Sequence, residues 1–131
     1  MTFNQNNQKT FRFRNFKVYQ ETRKVNMQIK SLVKKKFPKE ELYILTSQIH
    51  RALDSIILNI AEGSERGTDR DFAHFLNISN GSLHEVVACL DVAFDSKYIT
   101  EKELNENMEL LEGLAHQLTA FRKSLLTKPT K

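Results

Sequence analysis

Four stretches of this chain repeat apolar side chains every three or four residues, and each stretch ends at residues that stop a helix. That periodicity constrains the fold most. It gives each of four rods a greasy stripe that must be buried against the others. The first stripe is Val18, Thr22, Val25, Ile29 and Leu32, in a helix from about Phe16 to Lys36. The phrase FPKEE then breaks the period, because proline is disfavoured inside a helix but welcome in a first turn, where acidic residues also suit the dipole. The second helix therefore reads as Pro38 to Glu62, with Leu42, Leu45, Ile49, Ala52, Leu53, Ile56 and Ile60 inward and Gly63 as a left-handed cap. Thr68 and Asp71 form a capping-box pattern for a third helix, which buries Phe72, Phe75, Leu76, Leu83, Val86, Leu90 and Phe94. Thr100 and Glu103 repeat the pattern for a fourth, with Leu104, Met108, Leu111, Ala115, Leu118 and Leu125. No useful strand-like alternation interrupts them. Short connections predict an all-α, up-down-up-down antiparallel four-helix bundle over residues 14–126. A polar, basic arm (1–13) precedes it and a frayed tail (127–131) follows.

At 131 residues, 40% hydrophobic and 27% charged, the chain is one globular domain with enough mass for a core. Its single cysteine, Cys89, excludes an intramolecular disulfide and fits a cytoplasmic setting. No apolar run approaches the ~18 residues of a membrane span, and the first residues read as a polar tail without a signal-peptide core.

Catalytic chemistry is hard to assemble from these residues. His50, His74, His84 and His116 never fall at the i, i+4 spacing of a zinc protease, and no Glu-x-x-His of a di-iron bundle occurs. Asp71 and His74 share a helical face, where a local surface hydrogen bond accounts for them. Cys89 lacks a basic neighbour in sequence and reads as a packing residue. There is no glycine-rich phosphate loop. The expectation is a non-enzyme without cofactor or metal.

The text ILNIAEGSERGTDRDF, Ile57 to Phe72, raises a different question. On a helical wheel, Gln48, Arg51, Ser55, Asn59 and Glu62 form a polar stripe beside the core stripe, with Ile44 and Leu58 flanking it. Ile78, Gly81, Ser82, Ala88, Cys89 and Val92 likewise lie off the core line of the third helix. A lone bundle has no use for apolar side chains on a second face. A mid-helix glycine costs about 1 kcal/mol relative to alanine, so close packing is a reason to keep Gly81. Two readings compete. Asn59 and Glu62 satisfy backbone groups near the helix end, or the stripe hydrogen-bonds across an interface between copies of the chain.

The net charge of +4 is unevenly spread. Residues 1–36 hold ten basic side chains against one acid, Glu21, leaving ten against fifteen for the rest. Such asymmetry fits a polyanionic partner or an acidic neighbour. In TFRFRNFK, Phe11, Phe13 and Phe16 interleave with Arg12, Arg14 and Lys17, a pattern that contacts phosphates while rings stack on unpaired bases. Arg23, Lys24, Lys30, Lys34, Lys35 and Lys36 extend the set along the first helix. The alternatives are phenylalanines docked on the bundle and lysines serving the negative end of a helix.

The segment LTSQIHRALDSIILNIAEGSERGTDRDFAHFLNISNGSLHE also resembles a bacterial family whose founding members are encoded inside intervening sequences of large-subunit ribosomal RNA genes. Leu45, Thr46, Gln48, Ile49, Arg51 and Ala52 match its first block. Ser55, Ile56 and the Asn59–Gly63 run match the second; Phe72, Phe75, Leu76, Gly81, Ser82, Leu83, Glu85, Tyr98 and Ile99 match the rest. His50 replaces the first arginine of the usual pair, Ile57 a proline, and Glu65 a common glycine. The resemblance implies a bundle assembled as a cyclic homopentamer. Relatives associated with diversity-generating retroelements look like basic pentamers that bind RNA and a reverse transcriptase. The functional expectation is a non-enzymatic homo-oligomer binding RNA through the first helix and arm. The alternative is a protein–protein scaffold ring that docks an acidic partner.

Overall fold

The computed structural model describes residues 10–127. Four helices carry the chain: α1 (Lys17–Lys36), α2 (Leu45–Ser64), α3 (Asp69–Asp95) and α4 (Glu101–Thr127). There is no strand among the described residues. Short 3-10 turns at Arg12–Asn15 and Lys39–Glu41 precede α1 and α2. Most of the expected arm and tail lies outside the described residues.

Helix α1 packs on α2 and α4, α2 on α3, and α3 on α4, closing a four-sided bundle. The cross-helix pairs fix the directions. Lys30 meets Asp54 and Arg12 meets Ser64, so α2 runs back along α1. Gln48 meets Glu85 and Ser79 meets Ile56, so α3 runs back along α2. Phe72 and Phe16 both reach Phe121 on α4, at the same end.

The helices start where local chemistry directs them. Thr68 Oγ1 accepts the Asp71 N–H at 3.1 Å and caps α3. At α4 the box is reciprocal: the Thr100 N–H donates to Glu103 Oε1 at 2.9 Å, and the Glu103 N–H to Thr100 Oγ1 at 3.1 Å. The backbone bond from Thr100, with help from Lys36, outweighs desolvation and holds the Glu103 carboxyl below the usual value. Helix α3 ends in a Schellman turn. Tyr98 N–H donates to Ala93 O and Lys97 N–H to Phe94 O, with Lys97 left-handed at φ 66°.

Three expectations change. The expected start of the second helix at Pro38 is replaced by the 3-10 turn, and α2 begins only at Leu45. The backbone breaks at Ile44 (φ −120°, ψ −97°), and the Glu41 carboxylate accepts from the Leu45 N–H at 3.4 Å and from the Tyr98 hydroxyl at 2.7 Å. Leu42, expected inside, is exposed with Tyr43 and Ile44. Gly63 is no left-handed cap, because no described glycine has positive φ and α2 continues to Ser64. Gly63 instead sits against Phe72 and Phe75, where a side chain would collide with α3.

The core differs in detail. Val33 is buried where Leu32 was expected, and Cys89, placed off the core line, is buried. On α3, Phe75 and Phe94 are half-buried; on α4, Leu104, Met108 and Ala115 are half-buried while Asn107 and Leu114 go inside. No helix is long and apolar enough to cross a membrane.

Candidate functional site

The N-terminal basic-aromatic segment is largely structural in its described part. Phe16 stacks on Phe72 with centroids 6.1 Å apart and meets Phe121 edge-on at 5.4 Å. Phe13 packs edge-on against Tyr19 at 4.9 Å. The Arg12 guanidinium lies over the rings of Phe16 and Phe72 and donates to the Ser64 carbonyl at 3.0 Å. A cation at that carbonyl serves the negative end of α2. The Arg14 carbonyl accepts from Gln20 Nε2 at 3.0 Å, which ties the turn to α1.

Along α1 the bases divide. Lys30 donates to Asp54 Oδ1 at 2.6 Å, where Asn26 also donates. Burial pushes the Asp54 carboxyl up, but those bonds and the Lys30 and His50 charges outweigh it and hold it below the usual value. Lys36 reaches Glu103 at 3.3 Å, and Lys24 reaches Glu21 at 3.7 Å. Exposed Lys17, Lys34 and Lys35 have no partner among the described residues. Arg23 lies with Gln20, Lys24 and Met27 around a shallow depression on the outer side of α1.

Below that depression, a groove of about 600 Å³ opens between the C-terminal half of α1 and the segment leading into α2. Its cationic rim is Lys30, Lys34 and Lys39, with His50 on the α2 side. Its apolar surface includes Met27, Phe37 and Leu42. The groove's described lining contains no carboxylate. Sequence reasoning supplied Lys30 and Lys34 but missed Lys39, Met27, Phe37, Leu42, Thr46 and His50. A signal for Lys39 existed in KKKFPKEE, where the basic run resumes after the proline. Nothing in the one-dimensional pattern tells that Leu42 faces Met27, because that depends on where α2 begins.

The second candidate surface is the outer face of α2 and α3, and here the polar stripe is bonded within the chain. The Ser55 and Ser82 hydroxyls meet at 2.7 Å, and Asn59 Nδ2 donates to Ser55 O at 2.8 Å and to its hydroxyl at 3.0 Å. Gln48 donates to Glu85 at 3.2 Å, and Arg51 to the Ser47 hydroxyl at 3.4 Å. Glu62 pairs with Arg66 at 2.8 Å. The flanking apolar residues remain open: Ile44 is 67% exposed, Leu58 63% and Ile78 39%. A side chain added at Gly81 would meet nothing within 4 Å.

Cys89 is buried, and desolvation, then the Glu85 charge, pushes its thiol up. Among the described residues no group of three or more His, Cys, Asp or Glu side chains gathers as a metal site would need.

Comparison with known proteins agrees with the helix order. A crystal structure of a protein of unknown function from the S23 ribosomal protein family of Bacteroides thetaiotaomicron superposes with a TM-score of 0.58. It is 24% identical, and the match covers 84% of this chain and 95% of that one, so it speaks for the fold. No curated protein matches the chain. The model of the 23S rRNA-intervening sequence proteins matches residues 14–120, which takes in all of α1, α2 and α3 and most of α4. The chain therefore belongs to the 23S rRNA-intervening sequence protein family.

Proposed function

We propose that this chain is a non-enzymatic bundle that assembles as a cyclic homo-oligomer, a pentamer, and binds RNA through the C-terminal half of α1. The observation that carries the RNA reading is the pair Lys34 and Lys35, without a partner among the described residues, beside a groove whose described lining adds Lys39 and holds no carboxylate. Exposed ammonium groups suit phosphates, whose neutralisation releases counterions and makes affinity depend on salt. Several identical patches on one ring would sum weak contacts through avidity. The buried, hard-to-ionise Cys89 supports a role outside nucleophilic catalysis.

The assembly reading rests on Ile44, Leu58 and Ile78, which stay exposed in one protomer. They lie on the α2–α3 face, while α1 contacts α2 and α4. Copies joined through α2 and α3 thus leave the outer side of α1 available.

The experiment combines native mass measurement with binding to RNA across a salt series. The wild type is expected to form a pentamer whose affinity falls steeply with salt. Changing Lys34, Lys35 and Lys39 together to Glu should abolish binding without altering the mass. Leu58→Glu should release folded protomers with weaker binding. Affinity indifferent to salt and to the lysine changes removes RNA as the partner; a folded wild-type monomer at micromolar concentration removes the ring.

A further inference from the structure

Resting on that RNA reading, we propose that the α1 groove seats an unpaired base of a single strand, with neighbouring phosphates on Lys34 and Lys39. Met27 is 72% exposed and Leu42 51%, and both stand beside the half-buried ring of Phe37. Large apolar groups gathered in a concave site and left in water favour an occupant with an apolar face. The cationic rim, with no carboxylate among the described lining residues, favours an anionic occupant. Lys30 is already closed by Asp54 at 2.6 Å, which leaves Lys34 and Lys39 for phosphate oxygens.

The same groove carries the Thr46 hydroxyl and the His50 ring. A base presents donors and acceptors along its edge to such groups. The apolar face of a peptide helix would leave them unpaired, at a cost in desolvation. About 600 Å³ falls within the roughly 300–1,000 Å³ of sites for small organic molecules, more room than a phosphate alone needs. In a duplex the bases stay stacked inside and offer such a groove no ring face. The groove therefore distinguishes strandedness, whereas the lysines alone would favour the denser charge of the duplex.

The test uses the full chain and fluorescence anisotropy with three labelled probes of equal length: a single RNA strand, the same strand with stable abasic residues, and its duplex. The intact single strand should bind roughly tenfold more tightly than either of the others, as loss of one stacked base predicts. Met27→Ser with Leu42→Ser, both at exposed positions, should remove that margin and leave duplex affinity unchanged. Lys34→Gln with Lys39→Gln should weaken all three.

Equal affinities for the probes, still sensitive to the lysine changes, overturn the base site and leave phosphate binding standing. A single-strand preference that survives Met27→Ser with Leu42→Ser places the bases elsewhere and also overturns it. Tight binding of a glutamate-rich amphipathic peptide that the serine changes abolish, without any strand preference, assigns the groove to an acidic protein. No binding to any RNA probe removes both this site and the function on which it rests.

Discussion

The contact at Gly63 gives the sharpest test of how α2 and α3 are held together. A Cβ placed there would lie 2.6 Å from Phe75 Cβ and 2.9 Å from Phe72 Cδ1. Ordinary carbon–carbon contact is about 3.5–4.0 Å. The Phe72 ring has little room to turn away, being buried between Phe16 and Phe121 at centroid distances of 6.1 Å and 5.2 Å. Phe75 Cβ is bonded to the α3 backbone, so only a shift of the helix relieves it. Gly63→Ala therefore sets two effects against each other. Alanine stabilises a helix by about 1 kcal/mol relative to glycine. Overpacking a tight site costs about 1–3 kcal/mol, and two simultaneous collisions place this one near 3 kcal/mol. The net loss is about 2 kcal/mol. At roughly 4 °C per kcal/mol for a chain of this length, the melting midpoint drops by about 8 °C.

Gly113→Ala is the internal control. Gly113 is exposed within α4, and an added Cβ meets nothing within 4 Å. The same chemical change there gains up to about 1 kcal/mol and raises the midpoint. Thermal melts followed by circular dichroism, at one protein concentration, compare the two directly. If Gly63→Ala melts at or above the wild type, the close approach of α2 to α3 is not what fixes glycine at this position.

Two further outcomes concern the bundle's ends and its charges. Lys97 holds a left-handed conformation that costs a non-glycine residue roughly 1–2 kcal/mol, so Lys97→Gly should stabilise the fold by about 1 kcal/mol in urea melts; destabilisation would mean that its side chain matters more than its φ. Asp54 and Glu103 both have carboxyls held below their ordinary values of about 3.9 and 4.3, so their contribution is full above those values and is lost as pH falls through the lower folded-state values. Combining Asp54→Asn with Glu103→Gln should thus flatten the acid decline of the melting midpoint below about pH 4, whereas curves parallel to the wild type refute the linkage.

The helices were legible in the sequence because their signals are local. Thr68, Thr100 and Glu103 lie within one turn of the backbone groups they satisfy, and both capped starts fall where the pattern places them. The start of α2 was not legible, because Pro38, Glu40 and Glu41 carry the same first-turn preferences in a 3-10 turn as in an α-helix. Glu41 is also held by the Tyr98 hydroxyl, 57 positions along the chain, a contact no local pattern reveals. Gly63 was misread for a related reason. A glycine near a helix end serves a left-handed cap or a close approach equally well, and only the position of Phe75 on α3 separates the two. The candidate site suffered most, since Met27, Lys39, Leu42 and His50 belong to three segments that meet only after folding. The bond from Arg12 to the Ser64 carbonyl, 52 positions along the chain, was likewise outside any local pattern.

The polar stripe on α2 bears on how copies of the chain would meet. Its central atoms are bonded inside one protomer: Ser55 to Ser82, and Asn59 to Ser55. Burying groups already paired costs far less than burying groups that must exchange water for an imperfect partner. The exposed Gln48–Glu85 and Glu62–Arg66 pairs sit farther along the face, where water can keep solvating their charges. On the same face Ile44, Leu58 and Ile78 offer apolar area, and a side chain at Gly81, beside Ser82, would meet nothing within 4 Å. A face with its central polar atoms satisfied and its apolar side chains open has little to lose by desolvation and much to gain. The stripe thus joins α2 to α3 and also lowers the cost of covering them with a second copy. Asn59 donates inside the chain, to Ser55 one turn back, so it would meet a second copy as a group already satisfied and not as a donor across the seam.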